Sequence, residues 1–182
     1  MSTSCDRSGS LAATFEDVRF ELIRSISRLH AGQDFTILMM ACDRSIDLDP
    51  NGLVPANMDN KVKAVEFMRD VTATGTTTLL ASLKRAFEVL GAADKNKPGK
   101  VIYILSDDDF AGLSDGSSYT TRNGTKLWGS EAVIQWLRDH NVDKGIQVNP
   151  ILLFNKDKYA TEVYKQIAAD NTGQFRSVSE DD

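Results

Sequence analysis

FTILMMA, residues 35–41, and VIYIL, residues 101–105, are two runs that are almost entirely apolar. A strand that is apolar on both of its faces is typical of a parallel sheet covered by helices on both sides. Amphipathic helical patterns, with apolar residues at spacings of three and four, alternate with apolar runs along the whole chain. Because short right-handed connections join such units, the pattern predicts an α/β fold: an open, doubly wound, mostly parallel central sheet with helices on both faces.

The other elements are predicted from the same two periodicities. Helices are expected at 12–30, 58–72, around 132–137 and at 159–170, with a further one whose inner face holds Leu79, Leu83, Phe87 and Leu90. In helix 58–72 the residues expected to face the core are Val62, Val65, Met68 and Val71. Strands are expected at 45–48, on an edge, at 146–154 and at 174–178, and loops at 49–57 and 107–129. We expect one domain over residues 1–182, of which 179–182 form an acidic tail.

Composition and charge exclude several classes of protein. Of the 182 residues, 41% are hydrophobic and 26% are charged, which is typical of a globular domain. The net charge of −5, without a basic cluster, argues against nucleic acid or an anionic membrane surface as a partner. No apolar run approaches the ~20 residues that are needed to cross a bilayer. The first ten residues, MSTSCDRSGS, lack the apolar h-region of a signal peptide. The sequence therefore leaves the localisation open. We expect the two cysteines, Cys5 and Cys42, to be buried thiols or, alternatively, to form one disulfide.

Three polar groups follow apolar segments, at the strand ends where doubly wound sheets bind ligands. They are DRSGS at 6–10, the threonines at 76–78 before a helix, and SDDD at 106–109 after VIYIL. In extended backbone the side chains of Asp6, Ser8 and Ser10 point to one side, because the period is two. Carboxylate and hydroxyl oxygens are hard donors that suit Mg²⁺, Mn²⁺ or Ca²⁺. One threonine and a second aspartate complete a set of five candidate oxygens.

This constellation resembles the metal-ion-dependent adhesion site (MIDAS) of von Willebrand factor type A domains. The resemblance extends over essentially the whole chain, and some bacterial members also resemble the GLVPAN segment at 52–57. It implies a Rossmann-like fold, a bound Mg²⁺ or Mn²⁺ and a role in protein binding or cell adhesion. It further implies that an acidic side chain of a partner protein completes the coordination. By position, the metal ligands implied are Asp6, Ser8, Ser10, Thr77 and Asp107, with Thr76 as an alternative one register away.

The chain departs from the family pattern at three places. The first strand, MSTSC, is short and polar where the family has a long apolar run, so we expect a truncated or mis-assigned start with further sequence upstream. Asp108 stands where the family usually has glycine, and with Asp109 it adds negative charge that attracts a cation but repels an acidic partner. Leu11 replaces a common methionine, a change that conserves volume.

Three aromatic residues flank or lie in the polar stretch after Asp107, and we expect them to contact a partner: Phe110, Tyr119 and Trp128. The alternative is a loop that folds back on itself.

Two other functions fit parts of the sequence. Asp107 and Asp109, after an apolar strand, also resemble the catalytic pair of Mg²⁺-dependent haloacid-dehalogenase phosphohydrolases. The position of the motif past the middle of the chain argues against that enzyme. A metal-free scaffold domain is the other alternative. No nucleophile elbow and no Walker A loop is present, so we expect no enzyme and no catalytic residues.

Overall fold

The computed structural model describes residues 1–6, 14–41, 44–73, 79–93, 99–107 and 118–179. The strands within these ranges are β1 (Ser2–Asp6), β2 (Asp34–Ala41), β3 (Arg44–Asp47), β4 (Val54–Pro55), β5 (Lys100–Ser106), β6 (Ser118–Thr120), β7 (Lys126–Trp128), β8 (Ile146–Leu153) and β9 (Arg176–Val178). The helices are α1 (Phe15–Ser27), α2 (Met58–Asp70), α3 (Leu79–Ala92), α4 (Gly129–His140) and α5 (Lys158–Asp170). None of these helices is both long and apolar enough to cross a membrane.

The main sheet has the strand order β3-β2-β1-β5-β8-β9, and β4 pairs with the start of β2. Strands β2, β1, β5, β8 and β9 run parallel to one another, whereas β3 and β4 are antiparallel to β2. The predicted mostly parallel α/β sheet is therefore confirmed. The edge strand expected at 45–48 is found as β3.

Helices cover both faces of the sheet, as the apolar runs predict. On one face, α1 and α2 pack on the side chains of Phe35, Ile37 and Met39. On the other face, α3, α4 and α5 pack on a layer that includes Leu38 and Ile104. Successive residues of β2 are thus buried against different helices, which explains why the run from 35 is apolar except at Thr36.

The short polar strand β1 lies at the centre of the sheet, between β2 and β5. Ser2, Thr3 and Ser4 are buried to 1% exposure or less, and Cys5 is buried as well. The buried thiol expected at Cys5 is confirmed, while Cys42 lies outside the described residues. Backbone pairing to strands on both sides holds a segment that has few apolar side chains of its own.

Helix α2 buries a different stripe from the one predicted. Ala64 and Met68 are buried, and Val71 is buried just after the helix, whereas Val62 and Val65 are 49% and 43% exposed. The residues at 64, 68 and 71 follow the spacing of four and three that marks a single face. Val62 and Val65 lie off that face, so the prediction that they point inward is wrong.

The polar stretch expected to be a loop over 107–129 contains a hairpin. Strands β6 and β7 pair antiparallel, with Tyr119 opposite Leu127, and α4 begins at Gly129. Tyr119 and Leu127 are half-buried against the core under α4. These two side chains pack the hairpin against the helix, although the surrounding sequence is polar.

Candidate functional site

Asp6 and Asp107 stand at the same edge of the sheet, on neighbouring strands. In the β1–β5 pairing Cys5 lies beside Leu105, so Asp6, the last residue of β1, is level with Ser106. Asp107 is the next residue along the chain after β5. Paired strands are about 4.8 Å apart, so the two backbone positions are close neighbours at the carboxyl edge.

The other predicted metal ligands lie outside the described residues. These are Ser8, Ser10 and Thr77, with the alternative Thr76. Phe110 and Asp109 lie outside them too. Helix α3, which starts two residues after Thr77 in the sequence, packs against β1, β2 and β3. Within the described ranges, no three histidine, cysteine or acidic side chains come together as a metal site of their own.

Asn155 connects the end of β5 to the start of α5. Its side-chain Nδ2 donates a hydrogen bond to the carbonyl oxygen of Asp107 at 2.7 Å, and its Oδ1 accepts one from the Asp157 backbone N at 2.7 Å. The Asp157 carboxylate in turn caps α5 by accepting from the backbone N of Ala160 at 2.8 Å. Asn155 therefore holds the backbone of Asp107 in place without using the Asp107 side chain.

The sequence carries a signal for Asn155, which is its position after an apolar strand. Asn155 directly follows the apolar segment at the end of β8, just as Asp107 follows β5. Phe154, which lies between the end of β8 and Asn155, has φ = 53°, an uncommon conformation for a bulky residue. The rule that polar residues after apolar strands line the site thus holds for a third strand.

Tyr119 is fastened to helix α4. Its hydroxyl donates a 2.7 Å hydrogen bond to Asp139 Oδ2, and its ring meets His140 edge to face at 5.9 Å. The hydrogen bond to Asp139 raises the pKa of Tyr119 above its ordinary value. The same bond, aided by one from Gln135, lowers the pKa of Asp139. These contacts give Tyr119 a structural role, and its contact with a partner stays a prediction.

Trp128 remains accessible at the start of α4. Its side chain is 45% exposed, and the ammonium of Lys126 lies 4.1 Å from the ring centroid, in a cation–π contact. Two residues on, Ser130 Oγ is 2.7 Å from the hydroxyl of Tyr159, at the start of α5. Tyr159 is 56% exposed, and no pattern in the sequence marks it. The starts of α4 and α5 thus present two adjacent aromatic side chains to solvent.

A cavity of about 330 Å³ lies at the other edge of the sheet. Its lining includes Asp34, Lys100 and Val101, at the amino ends of β2 and β5. It is therefore separate from the edge that carries Asp6 and Asp107.

No family profile and no curated protein sequence matches the chain, but solved structures do. The pilus adhesin SpaC from Lactobacillus rhamnosus GG, in an open conformation, matches with a TM-score of 0.73 and 16% identity, over 100% of this chain and 28% of its own. A von Willebrand factor type A protein from Catenulispora acidiphila matches with a TM-score of 0.75 and 15% identity, over 98% of this chain and 38% of its own. Proximal thread matrix protein 1 from the mussel byssus, described with a zinc-occupied MIDAS motif, matches with a TM-score of 0.65 and 19% identity, over 99% of this chain and 41% of its own.

These matches define the class of the fold. The chain has the fold of a von Willebrand factor type A domain, and the Rossmann-like architecture implied by the sequence is confirmed. The chain spans less than half the length of each of these three proteins.

Proposed function

We propose that this chain is a divalent-cation-dependent protein-binding module. In this proposal, oxygen atoms of five side chains hold the ion, directly or through water: Asp6, Ser8, Ser10, Thr77 and Asp107. The observation that carries the proposal is the β1–β5 register, which brings the chain positions of Asp6 and Asp107 to one edge of the sheet. Two carboxylates balance the charge of a dication and limit the cost of removing it from water.

The donor set fits a hard cation. Carboxylate and hydroxyl oxygens are the ligands that Mg²⁺, Mn²⁺ and Ca²⁺ prefer, and Mg²⁺ usually keeps several waters when it binds a protein. When bound, such an ion would supply an open coordination position to an incoming oxygen ligand. An acidic side chain of a partner protein is the ligand we propose for that position.

A binding role is favoured over catalysis by the nature of the similar proteins. One is named as a pilus adhesin and another as a thread matrix protein, and neither name denotes an enzyme. The phosphohydrolase alternative needs its first aspartate at the end of the first strand of its fold, whereas Asp107 follows β5. Phe110, Tyr119 and Trp128 are the candidate partner contacts in this proposal, and adhesion to another protein is the activity.

Metal binding is tested by calorimetry and by thermal unfolding. We expect heat on titration with Mg²⁺ or Mn²⁺ and a melting temperature that rises with ion concentration, because an ion that binds only the folded state stabilises it by mass action. At an ion concentration 100 times the Kd the gain is about 2.7 kcal/mol. Asp6→Ala and Asp107→Asn should each abolish the gain, whereas Asp59→Asn, in the exposed first turn of α2, should retain it.

The same measurements separate the alternatives. An unchanged melting temperature and no heat in the wild-type protein would favour the metal-free scaffold and end the metal proposal. Hydrolysis of a generic phosphate ester that disappears in Asp107→Asn and Asp109→Asn would replace the binding module with the phosphohydrolase.

A further inference from the structure

A surface of two aromatic and three basic side chains adjoins the candidate metal site. We call it the aromatic rim, and it consists of Trp128, Tyr159, Lys126, Lys156 and Lys158. All five residues are exposed, and they belong to β7, to the loop after β8 and to the start of α5. Three separate parts of the chain therefore contribute to it.

The aromatic residues of the rim are held in position while they are exposed. The Ser130–Tyr159 hydrogen bond fixes the Tyr159 ring beside the start of α4, and Lys126 lies over the Trp128 ring. Tyrosine and tryptophan side chains that are ordered before binding offer a large contact area at a small cost in conformational entropy. These are the properties of residues that anchor protein interfaces.

The three lysines of the rim outnumber the exposed acidic residues nearest to them in the chain, Asp157 and Glu131. Among the residues that the structure describes, none forms an ion pair with Lys126, Lys156 or Lys158. The carboxylate of Asp157, which lies between two of these lysines in sequence, is occupied as the cap of α5. In a chain whose net charge is −5, this positive surface favours an acidic ligand.

The rim is continuous with the candidate metal site. Asn155 bonds to the backbone of Asp107 and, through Asp157, to the first turn of α5, where Lys158 and Tyr159 lie. A ligand that places one carboxylate at the end of β5 would therefore extend over the rim with its neighbouring residues.

We propose that the aromatic rim binds an extended acidic segment of a partner protein, with glutamate or aspartate beside the lysines and an apolar or aromatic residue against Trp128 and Tyr159. This inference rests on the proposed function, because it names the partner of the same site. The contacts made by the rim itself do not involve the metal.

The test is an NMR titration of the ¹⁵N-labelled chain with a short peptide of alternating glutamate and tyrosine, and with a control peptide in which glutamine replaces each glutamate. We expect the acidic peptide to shift the Trp128 indole N–H and the amides of Ser130 and Tyr159. Trp128→Ala should weaken binding about tenfold or more, because aromatic anchors dominate interface energies, and Lys126→Gln should weaken it less. Matched controls on the opposite face are Phe20→Ala, which removes an aromatic ring that is 65% exposed, and Lys63→Gln.

Each outcome bears on one of the two proposals. Binding that persists in EDTA and is lost in Trp128→Ala supports the rim even if no metal binds. A different result overturns the rim and leaves the metal site. In that case binding requires Mg²⁺ and Asp107, and Trp128→Ala binds the peptide as the wild type does and has the wild-type melting temperature. Equal binding of the two peptides, no binding of either, or binding of heparin in preference to the acidic peptide also overturns the rim, the last in favour of an anionic polysaccharide.

Discussion

Strands β1 and β5 are neighbours at the centre of the sheet, yet their sequences are opposite in character. β1 carries Ser2, Thr3 and Ser4, whereas β5 carries the apolar run from 101 to 105. Both run in the same direction, and both end at the edge that holds the candidate site. The comparison shows that a strand at the centre of this sheet does not have to be apolar itself.

The two strands are stabilised differently. Ile102 and Ile104 of β5 are fully buried in the core beneath α3, α4 and α5. The hydroxyls of Ser2, Thr3 and Ser4 are buried without a hydrogen-bond partner among the described residues. A buried polar group that lacks a partner costs roughly 1–3 kcal/mol, so β1 stays in place through its backbone ladders and small side chains despite its hydroxyls.

The largest expected effect comes from truncating a residue of β5. Ile104→Ala should lower the free energy of unfolding by about 2–5 kcal/mol, because it leaves a cavity among fully buried neighbours. Urea unfolding followed by circular dichroism measures this loss. The matched change Ile46→Ala, at a position of β3 that is 44% exposed, should cost far less. Equal losses for the two variants would contradict the role given to β5.

A smaller effect of opposite sign is expected in β1. Ser4→Ala should raise the free energy of unfolding by about 1 kcal/mol, because it removes a buried hydroxyl without opening a large cavity. The control is Ser177→Ala, at an exposed position of β9, where we expect a change close to zero. A loss of stability in Ser4→Ala would mean that the hydroxyl has a stabilising partner, and the contrast between the two strands would then be weaker.

The same contrast explains what could be predicted from the sequence. β2 and β5 are recognisable because each contains a nearly continuous apolar run, a pattern typical of a strand covered on both faces. The central position of β1 cannot be derived from MSTSC, since its burial depends on β2 and β5, which follow much later in the chain. Only the resemblance of the motif that begins at Asp6 marks MSTSC as a strand.

The positions of the two acidic candidates were predictable, whereas their surroundings were less so. Asp107 is marked by the apolar strand before it and Asp6 by the DRSGS motif, and the register brings their backbones together. The same rule applied to β8 would have found Asn155. The β6–β7 hairpin was missed because only Tyr119 and Leu127 mark it, and Tyr159 because an exposed aromatic residue has no periodic signal.

The smallest expected effect comes from the β6–β7 hairpin, which lies in the polar segment after β5. The hydrogen bond between Tyr119 and Asp139 fastens the hairpin to α4 and raises the pKa of Tyr119. The stability that it contributes is therefore complete below the ordinary tyrosine pKa of about 10 and is lost as the pH rises through the higher pKa of the folded state. For Asp139, whose pKa is lowered, the contribution is present above the ordinary aspartate pKa of about 3.9 and is lost as the pH falls through the lower folded value.

An alkaline titration of tyrosinate absorbance tests this attachment, with Tyr119→Phe subtracted to isolate one of the four tyrosines. We expect Tyr119 to ionise at a pH above 10, and Asp139→Asn to bring its midpoint back towards 10, because the partner charge has been removed. Asp59→Asn on α2 should leave the midpoint unchanged. If Asp139→Asn had no effect either, the hairpin would be held by ring packing on His140 alone, and the polar segment after β5 would depend on apolar contacts as much as β5 itself does.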